Sequence, residues 1–154
     1  MSDQSLALIL QLRQSFIDEG VRINVPASQE EITAFEKKYA VKLPMILRHY
    51  FLMFNGTGEA NFGDNGFSFF SLDEFKLVRE KIMSKTEPDK DAYPNCYVFS
   101  EYLCWFWGYA VQLDDEGSDG LVLQVSGTQP PPHLISTSFK AFIEDYLSDS
   151  DRLI

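Results

Sequence analysis

The chain has 154 residues and a mass of 17.6 kDa, enough for one domain whose core needs no disulfide or metal. With 45% apolar and 23% charged residues, the composition excludes an intrinsically disordered chain, a collagen-like repeat and a coiled coil. The net charge of −10 argues against nucleic acid or an anionic membrane as the partner, because both are polyanions.

The acidic charge is confined to the second part of the chain. Residues 1–58 carry six acidic and six basic side chains, whereas residues 59–154 carry 17 acidic and seven basic ones. No Gly/Ser/Pro linker separates the two parts, so a single domain over residues 1–154 is predicted. The absence of a signal-like N-terminus, of a membrane-length apolar run and of a disulfide framework favours a soluble, cytoplasmic protein.

Two helices are predicted at the start of the chain. Apolar residues recur at helical spacing over residues 5–19, and Gly20 is a suitable stop. The second helix begins after Ser28, because Ser28 and Glu31 have the spacing of a capping box. In that motif each side chain accepts a hydrogen bond from a backbone N–H that the first helical turn leaves free.

A third helix is predicted between two short motifs. Leu43-Pro44 opens it, since proline in the first turn loses no hydrogen bond. Asn55-Gly56 ends it, because both residues tolerate the left-handed conformation found at helix C-termini. These four residues are therefore interpreted as structural.

The middle of the chain predicts a strand followed by a helix. Phe67 to Ser71 has strand-like composition and follows a turn-rich segment. Ser71 and Glu74 form a second capping box, from which a helix is expected to continue through Phe75, Val78 and Ile82. Residues 85–95 are predicted to form a polar loop.

Strands dominate the last third. They are predicted at residues 96–100, 105–113 and 121–125, the last two forming an antiparallel hairpin around loop 114–120. One face of the middle strand is aromatic and aliphatic, which favours a core face over a ligand platform; it comprises Trp105, Trp107, Tyr109, Val111 and Leu113. Ser138 begins a clean amphipathic helix. The predicted fold class is α+β, with a mainly antiparallel central sheet of about four to six strands covered by helices.

Residues with catalytic or metal-binding chemistry are few. His49 and His133 lack a ligand-type neighbour at helical or hairpin spacing, and Cys96 and Cys104 are interpreted as packed apolar residues. No phosphate-binding loop or nucleophile elbow occurs. The sequence therefore predicts no catalytic residue, no metal and no cofactor.

A cluster of carboxylates occupies the loop between the last two predicted strands. Asp114, Asp115, Glu116 and Asp119 lie within six residues, but they lack the EF-hand pattern that Ca²⁺ requires. Two interpretations remain: a solvated acidic loop, or an acidic surface that binds another protein.

An ordered series of motifs resembles the SUKH superfamily over about residues 28–148. The N-terminal part comprises Ile32–Glu36, Leu43-Pro44, Tyr50-Phe51 and Asn55–Gly58. The later part comprises Phe69–Phe75, Val98-Phe99, Tyr109–Leu113, Ser138–Phe142 and Tyr146-Leu147. Each motif alone is weak evidence for the superfamily, whereas their order along the chain is specific to it.

The resemblance implies a non-catalytic bacterial binding module. Many SUKH domains are immunity proteins that occlude a cognate toxin, often a nuclease, and others are intracellular regulatory or scaffolding domains. Because nucleases are generally basic, an inhibitor of charge −10 would be steered to such a partner. We expect Asp114, Asp115, Glu116, Asp119 and Glu101, with nearby exposed aromatic residues, to contact a toxin domain. An endogenous protein partner, or an enzymatic role that needs a cleft beside His49 or His133, remains the alternative.

Overall fold

The computed structural model describes residues 2–81, 93–125 and 133–154. Five α-helices lie in these ranges: α1 (Ser2–Asp18), α2 (Gln29–Tyr39), α3 (Met45–Met53), α4 (Val78–Lys81) and α5 (Phe139–Asp149). Six strands accompany them: β1 (Phe67–Phe69), β2 (Lys76–Leu77), β3 (Cys96–Tyr102), β4 (Trp107–Gln112), β5 (Val122–Val125) and β6 (His133–Ser136). None of the helices in the described part of the chain is long and apolar enough to cross a membrane.

All six strands belong to one antiparallel sheet. The strand order is β1-β3-β4-β5-β6, and β2 also pairs with β3. Strands β1 and β2 therefore lie along the same edge of β3. The β4–β5 hairpin has the predicted antiparallel pairing, with Gly108 opposite Val125 and Val111 opposite Val122. The predicted α+β class and its mainly antiparallel sheet are confirmed.

The helix boundaries follow from local hydrogen bonding, as the sequence predicts. In α2 the Ser28 hydroxyl accepts from the Glu31 N–H at 3.1 Å, and the Glu31 carboxylate accepts from the Ser28 N–H at 2.9 Å. Asn55 and Gly56, after α3, both have left-handed backbones with φ of 62° and 80°. Each end is thus fixed by residues whose side chain or backbone suits that position.

The main core lies between one face of the sheet and four helices. Phe16 of α1, Leu47 of α3 and Phe142 of α5 are fully buried there, with Phe99 of β3 and Tyr109 of β4. Aromatic rings fill most of this space, and the Phe99 ring centroid lies 5.0 Å from that of Phe142. The hydroxyl of Tyr109 donates to the Leu153 carbonyl at 2.5 Å, so the end of the chain is tied to the central strand.

The opposite face of the sheet carries a smaller apolar cluster. Its buried members are Phe70, Val78, Tyr93, Cys96, Val98, Ala110 and Val125, and Trp105 and Leu123 pack against them. Val78 belongs to the short α4, so one helical turn covers part of this face. The two faces therefore differ greatly in the size of their apolar clusters.

The helix predicted to run from Ser71 through Ile82 is wrong as a continuous element. The Ser71–Glu74 capping box is present, but it caps one 3₁₀ turn, Leu72–Glu74. Lys76 and Leu77 then pair with Val98 and Tyr97 of β3, and the described part of α4 starts only after this strand, at Val78. Long-range strand pairing overrides the local helical pattern, while Ile82 lies outside the described residues.

The strand predicted to begin at Trp105 begins two residues later. Leu103, Cys104 and Trp105 have φ of 48°, 54° and 73°, so they form a left-handed turn between β3 and β4. Tyr109, Val111 and Leu113 are buried on the main core face as predicted, and Trp107 packs partly against it. Trp105 instead lies against the smaller cluster on the opposite face. It precedes β4 and lies in the turn, so the alternation of side chains between the two faces of a strand does not apply to it.

Two further features differ from the sequence interpretation or lie beyond it. Cys96 is buried, but Cys104 is exposed in the β3–β4 turn, so the prediction that both cysteines are packed is wrong for Cys104. Strand β6 is absent from the sequence-based prediction, because His133-Leu134-Ile135-Ser136 does not alternate between apolar and polar residues. Most of the predicted polar loop, residues 85–92, lies outside the described residues.

Candidate partner-binding surface

The acidic loop between β4 and β5 is anchored at its first carboxylate. Asp114 Oδ1 accepts hydrogen bonds from the backbone N–H of Glu116 at 2.9 Å and of Ser118 at 3.2 Å. These backbone donors, that of Ser118 first, lower the pKa of Asp114, because they stabilise the ionised carboxylate. The Lys42 N–H also donates to the Asp114 carbonyl at 3.0 Å, which joins the loop to the segment before α3.

Asp119 anchors the other end of the same loop to α5. Its carboxylate accepts from the backbone N–H of Phe139 at 2.7 Å and of Lys140 at 3.1 Å, while the Ser138 hydroxyl accepts from Ala141. Together these two side chains satisfy three of the N–H groups that the first helical turn leaves free. Burial of Asp119 raises its pKa, and the two backbone donors only partly oppose that effect.

Asp115 and Glu116 occupy the middle of the loop and are exposed. Among the described residues, neither carboxylate accepts a hydrogen bond or forms an ion pair. Lys42 is nearby, since a Cβ on Gly117 would meet its Cδ at 3.4 Å. Of the four predicted loop carboxylates, the structure thus gives Asp114 and Asp119 contacts within the fold and presents Asp115 and Glu116 to solvent.

Glu101, predicted with the acidic contact group, lies in β3 and is only 5% exposed. Its Oε2 accepts from the backbone N–H of Ala60 at 2.6 Å and from the Ser68 hydroxyl at 2.9 Å. The sequence around Glu101 shows an acidic residue next to Tyr102. It does not show which distant strands cover the Glu101 side chain. The structure therefore separates Glu101 from the exposed loop 114–119.

The Leu43-Pro44 motif enters α3 through a hydrogen-bonded ion pair. Glu36 Oε2 accepts from the Leu43 N–H at 2.7 Å and from the Arg48 guanidinium at 2.6 Å. Pro44 is the N-cap residue of α3 with φ of −58°, which the ring fixes. One carboxylate of α2 thus holds both the start of α3 and its first full turn.

The Asn55-Gly56 motif joins four segments rather than only ending α3. The Asn55 side chain donates to the Val25 carbonyl at 2.8 Å and accepts from the Leu72 N–H at 2.9 Å. The Gly56 carbonyl accepts from the Asn24 N–H at 2.9 Å. A Cβ at Gly56 would contact the Phe69 carbonyl oxygen and would meet that of Phe70 at 2.6 Å. Only glycine fits both this φ of 80° and this approach.

The reactive side chains do not converge. Cys96 is buried, and burial raises the pKa of its thiol to about 12. The Nδ1 atom of half-buried His49 has no hydrogen-bond partner, while His133 is exposed on β6. Within residues 2–81, 93–125 and 133–154, no group of three or more His, Cys, Asp or Glu side chains could hold a metal ion.

A cleft of about 440 Å³ between α2 and β3 contains three tyrosines and two cationic side chains. It is lined by Lys38, Tyr39, Leu77, Arg79, Tyr93, Pro94, Asn95 and Tyr97. Burial, and then the hydrogen bond to Glu80, raise the pKa of Tyr39 to about 12; burial raises that of Tyr97 to about 12 as well. Both hydroxyls are therefore protonated at neutral pH, and that of Tyr39 donates a hydrogen bond to Glu80 at 2.9 Å.

The left-handed β3–β4 turn exposes two apolar side chains, of which Phe106 was predicted to lie in a strand and Leu103 between two strands. Phe106 is 72% exposed and Leu103 is 39% exposed, beside the exposed thiol of Cys104. Three consecutive non-glycine residues with positive φ are costly, at about 1–2 kcal/mol each. The segment contains no Gly, Asn or Pro that would have marked a turn, so its composition gave no signal.

Comparison with known proteins identifies a family for most of the chain. The family model described as SMI1 / KNR4 family (SUKH-1) matches residues 26–145. No curated protein matches the chain. The matched residues include the Leu43-Pro44 and Asn55-Gly56 motifs, the acidic loop and the first turn of α5.

Proposed function

We propose that this chain, which belongs to the SMI1/KNR4 family (SUKH-1), is a non-catalytic immunity protein that neutralises a basic toxin domain by occluding it. SUKH domains are protein-interaction modules, known broadly as immunity proteins or regulators. The observation that carries the proposal is the loop 114–119, fixed at both ends by Asp114 and Asp119, which offers two carboxylates to solvent.

Electrostatics support a basic partner. The net charge of −10 would attract a protein whose basic surface binds phosphate groups. It would also raise the association rate, and this increase would diminish at high salt concentration. Asp115 and Glu116 lie on a loop whose backbone is already hydrogen-bonded, so a partner would meet carboxylates that need little ordering. Glu101 does not belong to this exposed group.

The arrangement of side chains also suits binding without catalysis. An occluding inhibitor needs a rigid fold and a complementary surface, and it needs no general base or nucleophile. His49 and His133 lie on different elements, α3 and β6, and no carboxylate hydrogen-bonds to either one in the described part of the chain. A nuclease is the toxin class that we favour, because its substrate requires a basic surface.

The experiment is capture followed by rescue. The full chain is used to capture a partner from its native host, the captured protein is expressed alone, and growth is compared with and without this chain. Growth arrest that this chain relieves would support the proposal. Capture of a non-toxic endogenous protein would favour the regulatory or scaffolding alternative and would contradict the immunity role.

Charge reversal then tests the surface. Asp115→Lys/Glu116→Lys should slow association with the captured toxin by roughly tenfold at low salt and reduce its salt dependence. Asp18→Lys/Asp73→Lys makes the same charge change at exposed residues of other elements and is the matched control. Equal effects from both double variants would mean that net charge, and not the loop, steers the partner.

A further inference from the structure

A recess lies on the face of the sheet opposite the main core. Ser68 of β1, Glu101 of β3 and Gly108 of β4 are neighbours across three strands, since Ser68 pairs with Glu101 and Glu101 pairs with Gly108. Both neighbours of Glu101 are thus very small. A large residue in place of Ser68 would cover the carboxylate, and any side chain at Gly108 would displace the Trp105 indole that lies over it.

Glu101 is a buried carboxylate without a counter-ion. It is 5% exposed, and both of its hydrogen bonds, from Ala60 N–H and Ser68 Oγ, go to Oε2. Among the described residues, no donor bonds to Oε1 and no cationic side chain pairs with Glu101. Burying an unpaired charge is unfavourable, so a cation that enters the recess would gain from its presence.

Trp105 forms one wall of this recess. The left-handed turn directs its indole back over the sheet, where a Cβ on Gly108 would meet its Cζ3 atom at 2.5 Å. The resulting cavity has a volume of about 180 Å³ and is lined by Glu59, Phe70, Lys81, Glu101 and Trp105. Drug-sized ligands occupy about 300–1,000 Å³, so this cavity suits a single side chain.

The cavity lining has an excess of negative charge. Lys81 pairs with Glu59, their Nζ and Oε1 atoms being 2.5 Å apart, and its ammonium lies 4.5 Å from the centroid of the Phe70 ring. Lys81 is therefore already matched by one carboxylate, which leaves the charge of Glu101 uncompensated. Two carboxylates, one ammonium and two aromatic rings together line the space.

We infer that this cavity binds the guanidinium of an arginine side chain from the partner protein. A guanidinium is planar, so it can stack on the Trp105 indole while it donates hydrogen bonds to Glu101. A metal ion suits the lining less well, because it needs several oxygen or nitrogen ligands at once, whereas two of the five lining residues are aromatic and the Glu59 carboxylate is already paired with Lys81.

This inference deepens the proposed function and rests on it for the identity of the partner, but the cavity can be tested alone. The probe is Nα-acetyl-arginine amide, titrated into the full chain while the Trp105 indole N–H and the Glu101 and Gly108 amides are followed by NMR. Nα-acetyl-citrulline amide, which has the same shape without charge, is the matched control. We expect saturable shifts at these three signals with the arginine probe and none with citrulline.

Two variants make the assignment specific. Glu101→Gln keeps an acceptor for Ala60 and Ser68 and removes only the charge, so it should weaken arginine binding about tenfold. Trp105→Leu keeps the carboxylate and removes the aromatic wall, and it should weaken binding several-fold. Asp18→Asn/Asp73→Asn, at exposed residues outside the cavity lining, should leave the affinity unchanged. Dispersed spectra of each variant report that it is folded.

The outcomes separate this inference from the proposed function. No shift at the cavity signals, equal shifts with citrulline, or tighter binding of Mg²⁺ than of the arginine probe would overturn the inference, whether or not a toxin is captured. If a toxin is captured, Glu101→Gln should speed its dissociation about tenfold, while the loop variant Asp115→Lys/Glu116→Lys changes association. Arginine binding without any toxin partner would leave the cavity assigned and the immunity role contradicted.

Discussion

Two polar loops of this chain differ in where their side chains point. Loop 55–58 turns its polar groups inward: the Asn55 side chain bonds to Val25 and Leu72, and Gly56 lies against the backbone after β1. Loop 114–119 turns only its two end carboxylates inward, on its own backbone and on α5, and leaves Asp115 and Glu116 in solvent.

The comparison teaches how a polar residue's role is decided. Asp114 and Asp115 are adjacent and chemically identical, yet one receives two backbone N–H groups and the other receives none among the described residues. A side chain becomes part of the scaffold where the fold brings free donors to it. Where no donor is nearby, the same side chain stays hydrated and can meet a partner at little cost to stability.

The largest difference between the loops should appear at Gly56. Gly56→Ala adds a methyl group against the carbonyl oxygens of Phe69 and Phe70 at a residue with φ of 80°. We expect the free energy of unfolding to fall by roughly 3 kcal/mol or more, because strain and overlap add. Urea denaturation followed by circular dichroism measures the change.

Gly20→Ala is the matched control for this substitution. Gly20 has φ of 75°, but no atom lies within 4 Å of the position that a Cβ would take. Its cost should be the backbone term alone, about 1 kcal/mol. Equal losses at the two glycines would show that loop 55–58 is not tightly packed, and the contrast between the loops would fail.

A smaller effect should separate the end of the acidic loop from its middle. Asp119→Ala removes the acceptor for Phe139 and Lys140 at the start of α5, and we expect a loss of about 1 kcal/mol. Asp115→Ala should change stability by less than about 0.5 kcal/mol, because that carboxylate is exposed. Thermal unfolding of the two variants tests the order, and a reversed order would contradict the assigned roles.

The smallest effect concerns the titration of the loop's two ends. Backbone donors lower the pKa of Asp114, so its stabilising contribution is present above about pH 3.8 and is lost as the pH falls through its folded-state pKa. Burial raises the pKa of Asp119, so its contribution declines as the pH rises from 3.8 through its folded-state pKa. Carboxyl ¹³C shifts followed from pH 2 to 7 should show Asp114 titrating below Asp119. Titration at the same pH would mean that the two carboxylates are equivalent.

The parts of the fold that depend on neighbouring residues could be predicted. Ser28 with Glu31, and Ser138, mark helix starts by side-chain bonds that span three residues, and Asn55-Gly56 marks a helix end by its tolerance of a left-handed backbone. In each case the sequence alone contains the signal. The parts that depend on distant residues could not. The segment after Ser71 follows a helical pattern, but pairing with β3 draws Lys76 and Leu77 into a strand.

The candidate site also has features that depend on neighbouring residues and features that depend on distant ones. Exposure of Asp115 and Glu116 follows from their place in a polar hairpin loop. The burial of Glu101 depends on β1 and on Ala60, which lies 41 residues away, and nothing near Glu101 in sequence indicates either contact. The turn that places Trp105 over Gly108 has no glycine of its own at the left-handed residues, so it too required the structure.

The bond between Tyr109 and the Leu153 carbonyl has a consequence for how the chain folds during synthesis. Phe139 and Phe142 of α5 fill the centre of the main core, packing on Phe99 of β3. Until residues 139–153 have left the ribosome, α5 cannot cover the aromatic face of the sheet. Such a non-local closure predicts folding that is completed only after α5 has been synthesised and that is slower than that of a helical bundle.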